Sequence, residues 1–230
     1  MKDFRIATWN IRKCVGLDRR RDPARVLSAI AHLGADIVAL QEADRRLGAR
    51  PATLDPDQIE GETGLRVVPI DDSGVSLGWH GNALLTAPHI TVEATEQIDL
   101  PGLEPRGAIL ADLHGRHGQI TVVATHLGLT RRFRRRQLQA INRALAARPA
   151  RPTIILGDFN EWSKDRGLEA LARFNVHAPG RSFHAARPIA ALDRIAACPA
   201  FELRDAGVSE TKVTRVASDH LPVWADLTAA

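Results

Sequence analysis

Short apolar segments recur along the whole chain and are separated by turn residues, which strongly limits the folds available to it. Phe4 to Trp9 alternates as a half-buried strand does, whereas Ala35 to Leu40 and Thr153 to Leu156 are continuous runs typical of buried strands. The pattern predicts further strands at residues 65–68, 82–86, 90–98, 107–113, 120–125, 192–197 and 221–227. Because several of these strands follow one another after short turns, antiparallel hairpins are favoured.

Two long helices are predicted between the strands. Asp22-Pro23 supplies an N-cap followed by proline at the first helical position, and Gly34 ends that helix. Thr130 is the predicted N-cap of the second helix, and a shorter helix is predicted at Leu168–Phe174. Strands mixed with helices predict an α/β fold, a mixed-sheet sandwich with helices outside. We find no linker or internal repeat, which predicts one domain over residues 1–230.

Composition excludes several classes of protein. No apolar run approaches the roughly 20 residues that a membrane span needs, and the N-terminus lacks a signal-peptide pattern. We therefore expect a cytoplasmic protein without stable membrane insertion. Cys14 and Cys198 form no C-x-x-C motif, which argues against a disulfide scaffold or a cysteine zinc site. The net charge of +4 comes mainly from arginine, which suits a phosphate-bearing partner but is equally compatible with a solvated surface.

Polar side chains capable of chemistry stand at the ends of the predicted strands. Each of them alone can be interpreted as a turn or structural residue, but together they offer metal ligands and acid–base groups. Carboxylate and amide oxygens are the ligands preferred by Mg²⁺, with Mn²⁺ or Ca²⁺ as alternatives, and no histidine cluster argues for zinc. The histidines and Asp193 supply acid–base groups, as in-line attack of water on a phosphodiester requires. The strand-end residues are Asn10, Glu42, His126, Asp158, Asn160, Asp219 and His220.

Seven short segments occur in an order that is similar to the successive motifs of the endonuclease/exonuclease/phosphatase family. They are Thr8–Arg12 (TWNIR), Val38–Glu42 (VALQE), Gly81–Leu85 (GNALL), Ala124–Gly128 (ATHLG), Leu156–Asn160 (LGDFN), Leu192–Ile195 (LDRI) and Ser218–Val223 (SDHLPV). The resemblance extends from residue 4 to about residue 226. It implies a four-layered αββα sandwich of two mixed, mostly antiparallel sheets, as in DNase I-like proteins. The local sequence resembles that of compact bacterial members of the family.

The resemblance also implies residue roles. Glu42 would bind the metal with Asn10 beside it, and Asp219 would approach the metal directly or through water. Asp158 would align or deprotonate the attacking water, while Asn160 would donate to the phosphate in the transition state.

The remaining implied roles concern the phosphate. His220, oriented by Asp193, would contact the phosphate or act as an acid–base group, and His126 would be a second phosphate-facing histidine. Arg106 resembles an arginine that stands at the start of a strand in this family, and it would face the phosphate. The alternative is that Arg106 forms an ion pair on the surface. Asn82 is expected to hold loops near the substrate site, with a turn residue as the alternative.

An arginine run, Arg131-Arg132-Phe133-Arg134-Arg135-Arg136, opens the second predicted helix. Cations are unfavourable at a helix N-terminus, which already carries partial positive charge. The run either faces an anionic substrate near His126 or forms a solvated helix face. On the first interpretation, Arg132 and Arg135 bind substrate, and replacing both with serine raises KM for the true substrate.

The remaining hypotheses differ mainly in the substrate. The excess of basic over acidic residues favours a nuclease acting on DNA or another nucleic acid. The absence of tyrosine and the 4% aromatic content argue against a lesion-specific site with stacked bases. A phospholipid or small-molecule phosphodiesterase or phosphatase, similar to sphingomyelinases, is the alternative. A non-catalytic binding module is a third hypothesis, although the whole set of site residues is present.

Overall fold

Two sheets, each with six strands among the described residues, form the centre of the molecule. The computed structural model describes residues 3–45, 48–71, 73–116, 118–163 and 166–229. Strands are numbered in chain order. The first sheet contains, in spatial order, β11 (Phe201–Val208), β12 (Val223–Ala229), β1 (Asp3–Asn10), β2 (Ile37–Gln41), β4 (Ala83–Thr86) and β3 (Arg66–Val67). The second contains β5 (Thr91–Leu100), β6 (Arg106–Gly115), β7 (Gly118–His126), β8 (Thr153–Asp158), β10 (Asp193–Ala197) and β9 (Asn175–His177).

Each sheet has one parallel strand pair, and a helix connects the two strands of each pair. Helix α1 (Pro23–Leu33) joins β1 to β2, and helix α3 (Arg131–Ala146) joins β7 to β8. Parallel strands present their carboxyl ends at one edge of a sheet, where ligand sites commonly form. Asn10 pairs there with Gln41, and His126 pairs with Asp158.

Apolar side chains fill three layers, because alternate residues of the central strands point to opposite faces. In β8, Ile154 and Leu156 pack between the two sheets, whereas Ile155 packs beneath α3. In β1, Phe4 and Ile6 pack between the sheets and Ala7 packs beneath α1. The predicted αββα sandwich of two mixed, mostly antiparallel sheets is thus confirmed.

Helix α1 begins and ends where the sequence predicts. The Asp22 carboxylate accepts a hydrogen bond from the Arg25 amide, Pro23 opens the helix, and Gly34 closes it with φ of 59°. Helix α2 (Pro56–Thr63) is capped in the same way by Asp55. The Thr130 side chain makes no capping hydrogen bond, although α3 begins directly after it.

Some predictions differ from the structure. The helix predicted at Leu168–Phe174 is only a 3₁₀ turn, Glu169–Leu171, which brings Leu171 and Phe174 into the core beneath α3. Strands β9 and β11 and the short helix α4 (Thr214–Ala217) were not predicted. A bulge between Leu203 and Asp205 interrupts β11, so its sequence lacks a clean alternation. Within the described residues, no helix has the length and apolar character needed to cross a bilayer.

Candidate active site

The polar residues that end the central strands meet at one edge of the two packed sheets. Asn10 ends β1, His126 ends β7 and Asp158 ends β8. Asp193 begins β10 directly opposite Asp158, because these strands run antiparallel. The loop before β12 then carries His220 against them, and all five side chains are buried.

Asp158 lies at the centre of this cluster. Its Oδ2 atom is 3.1 Å from Asn10 Nδ2, 3.3 Å from His126 Nε2 and 3.6 Å from His220 Nε2. Its Oδ1 atom accepts a 2.9 Å hydrogen bond from the Asn160 amide, which fixes the carboxylate plane. One buried carboxylate oxygen therefore faces two imidazole rings and an amide.

His220 is held from behind by Asp193. His220 Nδ1 is 2.8 Å from Asp193 Oδ2, and the Ser182 hydroxyl donates to the same oxygen. Burial alone would lower the pKa of His220, but the carboxylates of Asp193 and Asp158 raise it to about 10. The imidazole is therefore a cation at neutral pH, with Nε2–H directed toward Asp158.

Arg106 holds the second histidine. Its guanidinium lies 2.9 Å from His126 Nδ1, and because arginine only donates, Nδ1 is the acceptor. The proton of a neutral His126 ring is then on Nε2, which faces Asp158. Arg106 is only 8% exposed, so the surface ion pair considered as its alternative is not what the structure shows.

Asn160 follows Asp158 in a left-handed backbone conformation, with φ of 51°. One of its two side-chain N–H groups donates to the Leu127 carbonyl at 2.9 Å. The second N–H group is available to a substrate oxygen.

The two carboxylates expected to hold a metal, Glu42 and Asp219, are next to this cluster and are partly exposed. The Glu42 carboxylate forms an ion pair with the Lys13 ammonium group, and Asp219 Oδ2 is 3.6 Å from Arg12 Nε. The Asn10 Oδ1 atom accepts from the Arg12 amide at 3.1 Å and keeps a second lone pair. Each carboxylate thus already faces a positive charge, and this hard-oxygen donor set fits Mg²⁺.

A second group of ligand atoms has spacing suitable for a metal. One such atom from each of Asp158, Asp193 and His220 lies within 4.8 Å of the others. The facing atoms of Asp193 and His220 are, however, joined by a 2.8 Å hydrogen bond. Metal binding by Glu42, Asn10 and Asp219 stays a prediction.

A cavity of about 490 Å³ opens beside the cluster, within the usual size range of small-molecule sites. Glu42, Arg106 and His126 line the part next to Asp158. The rest is lined by Lys13, Asp44, Arg45, Arg50, His80, Gly81, Leu103, Glu104, Pro105 and Leu129.

Several residues around the site have backbone φ angles in the left-handed region, which non-glycine residues seldom adopt. Such conformations persist only where the surroundings enforce them, and they cluster at functional sites. The angles are 47° at Arg12, 59° at Lys13, 52° at Glu42, 53° at Arg50 and 49° at His80.

Comparison with known proteins places these residues in a family. The model of the Endonuclease/Exonuclease/phosphatase family matches residues 7–220, most of the chain. The chain belongs to the endonuclease/exonuclease/phosphatase family. No protein with curated annotation matches it significantly by sequence.

Solved structures share the fold of this family member. A family protein from Bacteroides vulgatus is 19% identical with a TM-score of 0.78, and each chain is covered completely. A family protein from Beutenbergia cavernae is 22% identical with a TM-score of 0.76, covering 100% of this chain and 72% of that one. TDP2 from D. rerio, solved with a single-strand DNA product, is 16% identical with a TM-score of 0.73 and complete coverage of both chains.

Asn82 has a supporting position in this family member. Its side chain is fully buried and donates to the carbonyls of Trp79 and Gly107 at 3.0 Å each. It therefore joins the loop before β4 to the start of β6, beside Arg106. These hydrogen bonds agree with the expected loop-holding role, and direct binding of substrate by Asn82 stays a prediction.

The structure does not bring Arg132 and Arg135 into the cavity. Arg135 forms an exposed ion pair with Glu169, and Arg132 is exposed on α3. Neither residue lines the cavity beside Asp158. Their predicted contact with substrate therefore has no support from the geometry.

The arginine run instead surrounds Glu161, a buried residue that the sequence did not single out. Arg131 and Arg134 bind the two oxygens of its fully buried carboxylate, at 2.8 and 2.7 Å. Arg194 donates to the Glu161 carbonyl. Burial would raise the pKa of Glu161, but hydrogen bonds from Arg131 and Arg134 lower it to about 2. The cations at the N-terminus of α3 thus hold the segment that carries Asn160.

Two serines also support the site without having been predicted. Ser182 binds Asp193, and the Ser218 hydroxyl donates to the Asn10 carbonyl at 2.6 Å. Ser218 had a local signal, because it begins the segment that contains Asp219 and His220. Ser182 had none, since only the tertiary fold brings it to Asp193.

Proposed function

We propose that this chain is a divalent-metal-dependent phosphodiesterase that hydrolyses its substrate by in-line attack of an activated water molecule. One observation carries the proposal. Two imidazole Nε2 atoms and one amide converge on a single buried oxygen of Asp158, beside the partly exposed carboxylates Glu42 and Asp219. Family membership supports hydrolytic chemistry on phosphate esters.

The side chains have separate tasks in this reaction. Asp158 accepts a hydrogen bond from the attacking water and removes its proton as the P–O bond forms. His220, protonated and oriented by Asp193, donates Nε2–H to a phosphate oxygen. Asn160 and Arg106 offer further N–H donors to the phosphate.

Glu42, Asn10 and Asp219 would hold the metal ion. When bound, the ion neutralises phosphate charge and polarises the P–O bond. We propose Mg²⁺ as this ion because all three ligand atoms are hard oxygens.

The first candidate substrate is a nucleic-acid strand, hydrolysed as by a nuclease. The arginines that line the cavity support this proposal, and so does the likeness to TDP2, whose structure holds a single-strand DNA product. The second candidate is a small or lipid phosphodiester. The exposed leucines Leu103 and Leu129, 79% and 65% accessible at the cavity, favour it because an apolar substrate group would cover them.

Nicking of supercoiled plasmid in Mg²⁺ tests the nuclease, with Glu42→Ala as the contamination control. Nicking by the wild type and not by the variant supports nucleic acid as substrate. Hydrolysis of bis(p-nitrophenyl) phosphate without nicking would move the substrate to small or lipid phosphodiesters. A wild type that neither hydrolyses an ester nor binds Mg²⁺ in calorimetry would establish the non-catalytic module instead.

A further inference from the structure

The part of the cavity away from Asp158 has cations that the proposed reaction does not use. Arg45 and Arg50 both line it, together with His80. Neither arginine forms an ion pair with a carboxylate of the described residues. Their charge is therefore free to attract an anion.

Arg50 is held in place by a neutral acceptor. Its guanidinium is 2.6 Å from His80 Nδ1, and His80 Nε2 is 3.4 Å from Asp99 on β5. Burial first, and then the charge of Arg50, lower the pKa of His80, so the ring stays uncharged. A neutral partner fixes the guanidinium without cancelling its charge.

The same histidine places Arg50 close to the reaction centre. The His80 ring packs on Gly107, where a Cβ atom would lie 3.0 Å from His80 Cδ2. Gly107 directly follows Arg106, which binds His126. Arg50 and Arg106 thus line the same cavity, and the His80 ring connects Arg50 to the residue that follows Arg106.

The acidic residues of the cavity form no ion pair with Arg45 or Arg50 among the described residues. Glu42 pairs with Lys13, and Asp44 accepts hydrogen bonds from the Ser76 hydroxyl and the Leu77 amide. The Glu104 carboxylate lies beside Gly128, and its buried Oε2 atom accepts no hydrogen bond from any described residue.

We propose that Arg50, with Arg45 beside it, forms a second anion subsite that binds another phosphate group of the same substrate molecule. The subsite rests on the proposed function, because it takes the scissile phosphate to lie at Arg106 and His126. Arginine binds phosphate bidentately, and the fixed guanidinium loses little freedom on binding. The substrate class is then a phosphodiester with a second phosphate nearby, either within a strand or on a small molecule.

Turnover tests the subsite with matched substrates. Thymidine 5′-(p-nitrophenyl phosphate) is compared with the same ester carrying a 3′-phosphate. For the opposite polarity, thymidine 3′-(p-nitrophenyl phosphate) is compared with the same ester carrying a 5′-phosphate. We expect the second phosphate to raise kcat/KM about ten-fold or more in at least one polarity. Arg50→Gln should reduce that ratio toward one, and Arg45→Gln should reduce it partly. Arg66→Gln, an exposed arginine paired with Glu60, is the control and should keep the wild-type ratio. A ratio of one in the wild type, for both polarities, would overturn the subsite while leaving the phosphodiesterase intact.

Binding provides a test that does not need hydrolysis. Calorimetry in excess Mg²⁺ compares butylphosphonate with ethane-1,2-, butane-1,4- and hexane-1,6-diphosphonate, whose C–P bonds are not cleaved. At least one diphosphonate should bind about ten-fold more tightly, and Arg50→Gln should remove the difference. Equal affinities throughout would refute the subsite. Tighter diphosphonate binding by a protein that hydrolyses no ester would keep the subsite and reject the proposed function. Comparing a phosphorylated dinucleotide with the thymidine esters then separates a strand from a small molecule.

Discussion

Asp158 and Asp193 are both buried carboxylates on neighbouring antiparallel strands, yet they face different nitrogens of His220. Asp158 faces Nε2 together with His126, whereas Asp193 binds Nδ1 together with Ser182. A group on the Nε2 side shares space with the reacting atoms. A group on the Nδ1 side fixes the ring's orientation and stabilises its positive charge. We therefore assign proton removal to Asp158 and positioning to Asp193.

Asp193→Asn should separate these tasks. The amide keeps the shape but weakens the hold on protonated His220, so kcat should fall by about 10²- to 10⁴-fold with little change in KM. The pH profile of kcat should also lose the limb that reports His220. Steady-state kinetics across pH measure both effects, with exposed Asp205→Asn as the control. An unchanged pH profile would remove Asp193 from the positioning role.

At the scale of elements, the connection from β7 through α3 to β8 positions half of the site. Its helix begins with arginines, which are unfavourable there by themselves. The buried carboxylate of Glu161 offsets this, because Arg131 and Arg134 reach it from the first turn of α3. The helix start and the segment after Asp158 are thus joined by charge as well as by packing.

Removing Arg134 should therefore destabilise the fold. Arg134→Met leaves the buried carboxylate with Arg131 as its one remaining charged partner and should cost about 3 kcal/mol or more of unfolding free energy. Arg135→Met, which loses only the exposed pair with Glu169, should cost less than about 1 kcal/mol. Urea unfolding of the two variants measures the contrast. Equal losses would mean that Glu161 does not depend on its buried arginine.

The same ion pair predicts an acid limit to stability. The pKa of Glu161 is lowered from 4.5 to about 2 in the folded protein, so its contribution is complete above about pH 4.5. That contribution should be lost as the pH falls from 4.5 toward 2, when the folded carboxylate takes up a proton. Glu161→Gln should show a shallower fall in unfolding free energy across this window than the wild type. Parallel curves from urea titrations at each pH would contradict the assignment.

Sequence predicted those elements best that have local boundary signals. Asp22 and Gly34 mark both ends of α1, and continuous apolar runs mark β2 and β8. It failed at β11, where a bulge breaks the alternation, and at Leu168–Phe174, where core packing leaves only a 3₁₀ turn.

For the site, the ordered motifs predicted the residues around Asp158, because each lies next to a strand end. Arg50 and His80 carried no such signal. They meet because two separate loops pack against the start of β6, a contact that depends on the whole fold.

At the scale of the whole molecule, the site draws on both sheets and on both ends of the chain. Ser218 donates to the Asn10 carbonyl across 208 positions of sequence, and Asn10 and Asp158 belong to different sheets. The proposed metal ligands lie at the ends of β1, β2 and β12, so they come together only when the first and last strands of the chain pair in one sheet. Metal binding should accordingly be linked to global stability.

Mg²⁺ should raise the unfolding free energy of the wild type. A concentration 100-fold above the dissociation constant adds about 2.7 kcal/mol, because the ion binds only the folded chain. EDTA should reverse the gain, and Glu42→Gln should abolish most of it. Glu60→Gln, which alters only an exposed pair with Arg66, should retain it. Thermal unfolding with and without Mg²⁺ measures this effect. An identical unfolding midpoint in the wild type under both conditions would argue against this metal site.

The left-handed backbone at Lys13, Glu42, Arg50 and His80 makes stability and activity conflicting requirements at these four positions. Glycine tolerates this conformation without the steric cost that these residues bear, so replacing any of them with glycine should relieve roughly 1 kcal/mol of strain. A library selected for heat resistance alone would thus accumulate glycine at positions that line the cavity. Its most robust members would be the least active, and a selection for thermostable enzyme would have to score turnover in every round.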